Sequence, residues 1–124
     1  MGYPKLLLLT MDPNATMRDL TSNRIRRKNI EPNETAAIIS QLEYLRQTFP
    51  EKELVFLDAG MHLGWFAFNA AVRDFKVFGW EPGNYILDKA RFNRCLNGPL
   101  VEARVHIFAH GLGANDSECH IYLT

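Results

Sequence analysis

The 124-residue chain has little cysteine and no excess charge of either sign. Its two cysteines, Cys95 and Cys119, accompany a hydrophobic content of 47%, so a disulfide framework is not needed to hold a core together. Fourteen basic and fourteen acidic residues cancel to a formal net charge of zero. No global field therefore attracts the protein to nucleic acid or to an anionic membrane, and we expect a small-molecule partner.

Long apolar runs are also missing. The run at residues 6–9 is too short for a signal-peptide core and far short of the ~20 residues that span a membrane, so it predicts a strand. We therefore expect no membrane partner and, by default, a cytoplasmic location. Gly-x-Ser-x-Gly, P-loop and paired-cysteine motifs do not occur, which argues against hydrolase, kinase-like and zinc-binding functions. His106 and His110 lack further ligands at metal-binding spacing, so no metal site is predicted.

The first convincing helix follows a turn-rich stretch at residues 11–33. Asn33 can cap this helix and Pro50 can end it. Its apolar residues repeat at intervals of three and four, which predicts one buried face: Ile38, Leu42, Leu45 and Phe49. We accordingly divide the chain into a lead-in segment at 1–33 and an α/β domain at 34–124.

Short apolar runs and glycine-bearing turns alternate with helical stretches from residue 53 onward, a rhythm typical of a parallel sheet. The expected elements are strands at 54–57, 76–80 and 105–109, with helices at 63–73 and 84–96. The strands are nearly continuous apolar runs, which predicts helices on both faces of the sheet. A tail at 119–123 alternates like a further strand.

The most informative motif is Asp-x-Gly-x-x-x-Gly at residues 58–64, between a strand and a helix. Gly60 permits a sharp turn and close approach of a ligand, and Gly64 permits tight packing of the helix start on the sheet. Asp58 would lie at the floor of the resulting crevice and could hold an ammonium group directly or through water. Alternatively, Asp58 only caps the turn and the glycines only shape it.

Glu81 ends the next strand, 21 positions after Gly60. An acid about 20 residues past the glycine turn is spaced to accept hydrogen bonds from a ribose diol on the neighbouring strand. Its alternative role is to cap the helix that begins at Asn84. The joint occurrence of the two motifs favours a ligand crevice.

Two cofactor classes present an adenosine ribose to such a crevice, namely nicotinamide dinucleotides and S-adenosylmethionine. The dinucleotide fingerprint Gly-x-Gly-x-x-Gly exposes bare backbone to a pyrophosphate, but here His62 replaces the middle glycine. Met61 and His62 are expected to crowd the loop at that point. A methionine chain carries no phosphate, so the sequence favours the methyl donor over the hydride carrier.

These motifs resemble those of the FkbM-type methyltransferases, in which one strand ends in Asp-x-Gly-Ala-Asn-x-Gly and the next ends in Glu-Pro. The corresponding segments here read Asp-Ala-Gly-Met-His-Leu-Gly at 58–64 and Glu-Pro at 81–82. The following helix matches the family pattern of asparagines at Asn84, Asn93 and Asn97, and residues 111–116 are similar to its Ala-Leu-Gly-Asp turn. The resemblance covers residues 19–124.

The resemblance implies a partial Rossmann-like class I methyltransferase fold, with the first three parallel strands and their helices after an amino-terminal helical segment. It implies S-adenosylmethionine as cofactor and O-methylation of a hydroxyl on a small molecule or sugar, with no base or acceptor identified. The residues expected to contact the cofactor are Asp58, Gly60, Met61, His62, Gly64, Glu81 and Pro82.

Two departures from the family pattern change the expectations. Met61-His62 replaces Ala-Asn, so the loop loses an amide for which the ring of His62 could substitute. The chain also ends at Thr124, before the family's fourth strand and its Asp-rich motif, which predicts a fragment, a truncated gene model or a degenerate copy. An unpaired first strand then predicts self-association through the sheet edge. The alternatives are a non-catalytic binding or assembly module and a small nicotinamide-dependent oxidoreductase.

Overall fold

The computed structural model describes residues 32–122. The predicted strand at 6–9 and nearly all of the lead-in segment lie outside this range. Helix α1 covers Pro32–Thr48. Asn33 therefore lies in its first turn, and the prediction that Asn33 caps the helix is wrong. The helix can begin earlier, at Pro32, because a proline in the first turn has no N–H that would need a partner within the helix. The predicted stop at Pro50 is confirmed.

Only part of the predicted apolar face of α1 is buried. Leu42 belongs to the core, with Ile38 and Ile39 packed against it. Phe49 follows the end of the helix and is 44% exposed, so its predicted burial is wrong.

Three parallel strands form a sheet in the order β1-β2-β3, which confirms the α/β prediction and is compatible with a partial Rossmann-like arrangement. They are β1 (Val55–Ala59), β2 (Lys76–Trp80) and β3 (Val105–Phe108). The bounds of β2 are those predicted, whereas β1 begins one residue later and ends two residues later than predicted and so includes Asp58. In the β1–β2 register Asp58 lies beside Gly79.

Three helices connect the strands. Helix α2 covers Trp65–Ala71 and is shorter than predicted, because the residues before it form a turn. Helix α3 covers Asn84–Leu96, as predicted. Helix α4, at Pro99–Arg104, was not predicted; it starts with a proline directly after Gly98, a favourable first position, but six residues are too few to show an apolar period.

The helices of the described chain pack on one face of the sheet. Each strand is added on the same side of the one before it, in the order β1-β2-β3. Because the connections between parallel strands are right-handed, every connecting helix then lies on the same face of the sheet. Val77 and Val105 point into this helical layer and are 0% and 1% exposed, whereas Leu57 on the opposite face is 61% exposed. The prediction of helices on both faces is thus wrong within residues 32–122.

The opposite face, called here the open face, carries aromatic side chains. Trp80 and Phe108 stack with ring centroids 5.3 Å apart and an interplanar angle of 18°. The ring centroid of Phe78 lies 5.3 Å from that of His106 and 5.9 Å from that of Phe108. The apolar texture of the strands therefore reflects one packed face and one exposed aromatic face.

The segment after β3 has no regular structure up to residue 122. The strand predicted at 119–123 is wrong for its described part, since alternation alone supplies no neighbour for the backbone and these residues are exposed. No helix in residues 32–122 has the length and apolar character that a membrane crossing requires.

Candidate functional site

A tight turn joins β1 to α2, and three of its residues have positive φ: Gly60 (73°), His62 (52°) and Gly64 (95°). The backbone N–H groups of Gly60 and Met61 both donate to the carbonyl of Trp80, each at 2.9 Å. The turn is therefore fastened to the carboxyl end of β2. This segment is called the glycine turn below, meaning residues 60–64.

The two glycines of the glycine turn have different surroundings. A Cβ on Gly64 would lie 2.4 Å from the ring of Phe68, which is 1% exposed in the core. The absence of a side chain at Gly64 thus makes room for the Phe68 ring of the same helix, whereas tight packing of the helix start on the sheet stays a prediction. A Cβ on Gly60 would meet nothing within 4 Å, so the backbone there borders open space.

Met61 and His62 point in opposite directions. Met61 is 3% exposed, and its sulfur lies 2.4 Å from the position that a Cβ on Gly79 would occupy. Its side chain fills the core, so the prediction that Met61 crowds the loop is wrong; only its backbone borders the crevice. His62 is exposed, so its imidazole is the loop side chain that a ligand above the turn would meet.

Glu81 lies against the glycine turn, as its spacing predicts. Its Oε2 accepts a hydrogen bond from the backbone N–H of His62 at 3.1 Å, and its Oε1 accepts one from the N–H of Gly83 at 3.1 Å. Gly83 is the N-cap residue of α3, so the carboxylate also has the alternative role of supporting the helix start. Glu81 is 7% exposed. Each carboxylate oxygen keeps a second lone pair for a ligand hydroxyl.

Asp58 is the second buried carboxylate at this end of the sheet, with 8% exposure. Burial raises the pKa of Asp58 from 3.8 to about 6; the backbone N–H of Ala67 in α2 opposes this shift, and the charge of Glu81 adds to it. Oδ2 of Asp58 has no hydrogen-bond partner within the described residues. This oxygen is itself buried and is therefore an unpaired acceptor inside the protein.

Pro82, the last residue of the predicted set, is exposed beside the turn that follows β3. A Cβ on Gly111 would lie 3.8 Å from the Pro82 ring. The backbone N–H of Glu81 also donates to the carbonyl of Phe108 at 3.1 Å. The ends of the three strands are thereby joined side by side at one rim of the sheet.

Asn93 supports the site from α3 and was missed as a site residue. It is 0% exposed, and its side-chain amide donates to the carbonyl of Leu63 at 3.2 Å. The signal for this role was an amide among apolar helix positions such as Leu87 and Ala90, both of which are buried.

Asn93→Leu is expected to destabilise the fold by about 1–3 kcal/mol, because the Leu63 carbonyl loses a buried partner. Urea denaturation followed by circular dichroism measures the change. Arg91→Leu, at an exposed position of the same helix, is the control and is expected to change stability by less than about 0.5 kcal/mol. Equal losses in the two variants would contradict the supporting role of Asn93.

The site therefore offers two buried carboxylates, an open stretch of backbone at Gly60 and an exposed imidazole. Acceptors of this kind suit a ligand that carries hydroxyl or ammonium donors. Within residues 32–122, no group of three or more His, Cys, Asp or Glu side chains is arranged to hold a metal ion. A comparison of the sequence with models of known families and with curated proteins finds no match.

Proposed function

We propose that this chain binds S-adenosylmethionine at the carboxyl ends of β1 and β2 and that it serves methyl transfer to a hydroxyl group of a small molecule or sugar. The observation that carries the proposal is the contact of Glu81 with the glycine turn through the N–H of His62. This contact brings an acid that can accept from a ribose diol next to a backbone segment that a ligand can approach. The FkbM-type motif residues at 58–64 and 81–82 support the same assignment.

The residues present fit the chemical groups of this cofactor. Glu81 would accept hydrogen bonds from the ribose hydroxyls with its remaining lone pairs, and the backbone at Gly60 would lie against the ligand. Oδ2 of Asp58 lacks a partner, so it would accept from the ammonium group, directly or through a water. His62 and Pro82 would border the same crevice from the exposed side.

The hydrogen bonds of the glycine turn argue against a dinucleotide. A pyrophosphate is held by free backbone N–H groups at a helix start. Here the N–H groups of Gly60 and Met61 donate to Trp80, that of His62 donates to Glu81, and that of Gly64 donates to the Met61 carbonyl at 2.9 Å. These four donors of the glycine turn are already used, so they are not free to bind a phosphate.

S-adenosylmethionine, when bound, supplies a methyl group that its sulfonium charge has already activated. The task of the chain is then to hold the two ends of the ligand so that an acceptor oxygen can approach in line, and proximity supplies much of the rate. A neutral hydroxyl acceptor also needs a base. None of the described residues is assigned that role.

Glu81→Gln is expected to weaken S-adenosylmethionine binding by about 10- to 100-fold, since hydrogen bonds to a charged acceptor contribute about 1.5–3 kcal/mol. Isothermal titration calorimetry measures the affinity, with NAD titrated in parallel. Glu118→Gln, an exposed acid in the segment after β3, is the control and should bind like the parent. A Glu81→Gln chain that stays folded and binds as tightly as the parent would remove the ribose role.

A non-catalytic binding or assembly module is the second candidate. The observation in its favour is that both oxygens of Glu81 already accept backbone hydrogen bonds, so the acid has a structural role that needs no ligand. The same calorimetry separates the candidates. Binding of S-adenosylmethionine favours methyl transfer, binding of NAD favours a nicotinamide enzyme, and binding of neither favours the assembly module.

A further inference from the structure

The glycine turn is held along the end of β2 residue by residue. The carbonyl of Trp80 accepts hydrogen bonds from Gly60 and Met61, each at 2.9 Å, and the next residue, Glu81, accepts one from His62 at 3.1 Å. All three donors are backbone N–H groups, so these bonds fix the path of the turn. The side chain of Met61 adds a further contact, one residue earlier on the strand.

Gly79 provides a recess for that side chain on the helical side of the sheet. It shares this face with Val77, two residues before it on β2, which is fully buried. A Cβ on Gly79 would lie 2.4 Å from the sulfur of Met61 and 3.3 Å from both its Cβ and its Cε. The methionine chain thus lies over Gly79. Protein interiors hold few voids larger than a water molecule, so a methyl group at position 79 would have to displace Met61.

The residue that follows Met61 has a backbone conformation that needs support. The φ of His62 is 52°, in the left-handed region that residues other than glycine rarely adopt. Such a conformation persists only where the surrounding structure holds it in place. The imidazole of His62 is exposed and adds little packing. The support therefore comes from Met61, whose side chain is fixed in the core, and from Glu81, which accepts the N–H of His62.

We infer that Gly79 is a positioning residue of the candidate site and that it acts through Met61. The space that Gly79 leaves allows the Met61 side chain to enter the core, and this places the N–H of the next residue on Glu81. A side chain at position 79 moves the turn away from β2, and the carboxylate of Glu81 then loses one of its two backbone donors. The orientation of this acid is thus set by a contact inside the core, whichever ligand binds, so the inference does not depend on the proposed cofactor.

Amide hydrogen exchange of the full chain, followed by NMR, tests the positioning without a ligand. Gly79→Ala is expected to reduce the protection of the His62 amide by about tenfold or more relative to the amides of α3 in the same variant. Amides that exchange through global unfolding lose protection together, so this ratio separates movement of the turn from a loss of overall stability. Gly113→Ala is the matched control, because a Cβ there would meet only the carbonyl oxygen of Asn115, at 3.8 Å. An unchanged ratio in Gly79→Ala overturns the inference.

Shortening Met61 gives a second test, which also covers the case in which Gly79→Ala alone does not fold. Met61→Ala removes the sulfur and the Cε that a methyl group at position 79 would meet, and leaves a Cβ 3.3 Å from that methyl group. Gly79→Ala should therefore lower the exchange ratio of the His62 amide when residue 61 is methionine, and leave it within about threefold when residue 61 is alanine. An equal fall in both backgrounds overturns the inference, and so does a double variant that does not fold.

Discussion

Gly64→Ala is expected to destabilise the fold by about 2–5 kcal/mol. The φ of Gly64 is 95°, and an L-residue in the left-handed region costs about 1–2 kcal/mol. The added Cβ would also lie 2.4 Å from Cζ of Phe68, a buried ring that the core holds in place. Overpacking of this kind costs about 1–3 kcal/mol. Urea denaturation of the variant and the parent measures the sum.

Gly60→Ala separates the two contributions. Gly60 also has positive φ, at 73°, but a Cβ there meets nothing within 4 Å. This variant should lose only the conformational part, about 1–2 kcal/mol. Phe68→Leu replaces the ring with a smaller side chain and should restore part of the stability that Gly64→Ala loses. A double-mutant cycle should therefore give a favourable coupling energy between the two positions. Equal losses at Gly60 and Gly64 with no coupling would show that Phe68 does not restrict the turn.

Asp58 is expected to make the stability of the folded chain fall as the pH rises from about 4 to about 7. Burial raises the pKa of Asp58 from 3.8 to about 6, so the folded chain holds this proton more tightly than the unfolded chain does. The contribution is therefore fully present below about pH 4 and is lost as the pH rises through about 6. A difference of about two pKa units corresponds to about 2–3 kcal/mol.

Urea denaturation across this pH range tests the prediction with two variants. Asp58→Asn cannot ionise, so the parent should lose about 2–3 kcal/mol more stability than this variant between pH 4 and pH 7. Asp116→Asn, at an exposed position after β3, should follow the parent. Parallel curves for the parent and Asp58→Asn would contradict the burial of an ionisable carboxyl at this position.

The same protonation bears on the proposed ligand. An ammonium group would favour the ionised form of Asp58, so binding should release a proton near pH 6. The attraction between the ammonium group and the ionised Asp58 would offset part of the free energy of unfolding that the free protein loses when Asp58 ionises. This cost in the free protein is consistent with a site that is built for a partner rather than for stability alone.

The position of Glu81 could be predicted from the sequence because it depends on local rules. A strand that ends in an acid about 20 residues after a glycine turn brings the two together whenever the strands are parallel neighbours. The bounds of β2 and α3 were predictable for similar reasons, since a proline follows β2 and Asn97-Gly98 follows α3. These signals lie within a few residues of the elements they limit.

The features that escaped prediction depend on tertiary structure. The side chain of Met61 enters the core because Gly79 on the neighbouring strand leaves room for it. The sequence around Met61 does not show which residue of another strand will lie beside it. The one-sided helical layer follows from the strand order, which apolar runs do not encode. Helix α4 is too short for its periodicity to be recognised.

The two tryptophans occupy positions that make them separate optical reporters. Trp65 donates its indole N–H to the hydroxyl of Thr35 at 3.0 Å, so its emission depends on whether α1 stays attached to α2. Trp80 stacks on Phe108, and its carbonyl receives the N–H groups of Gly60 and Met61. Single-tryptophan variants would therefore let fluorescence distinguish detachment of the first helix from rearrangement at the crevice.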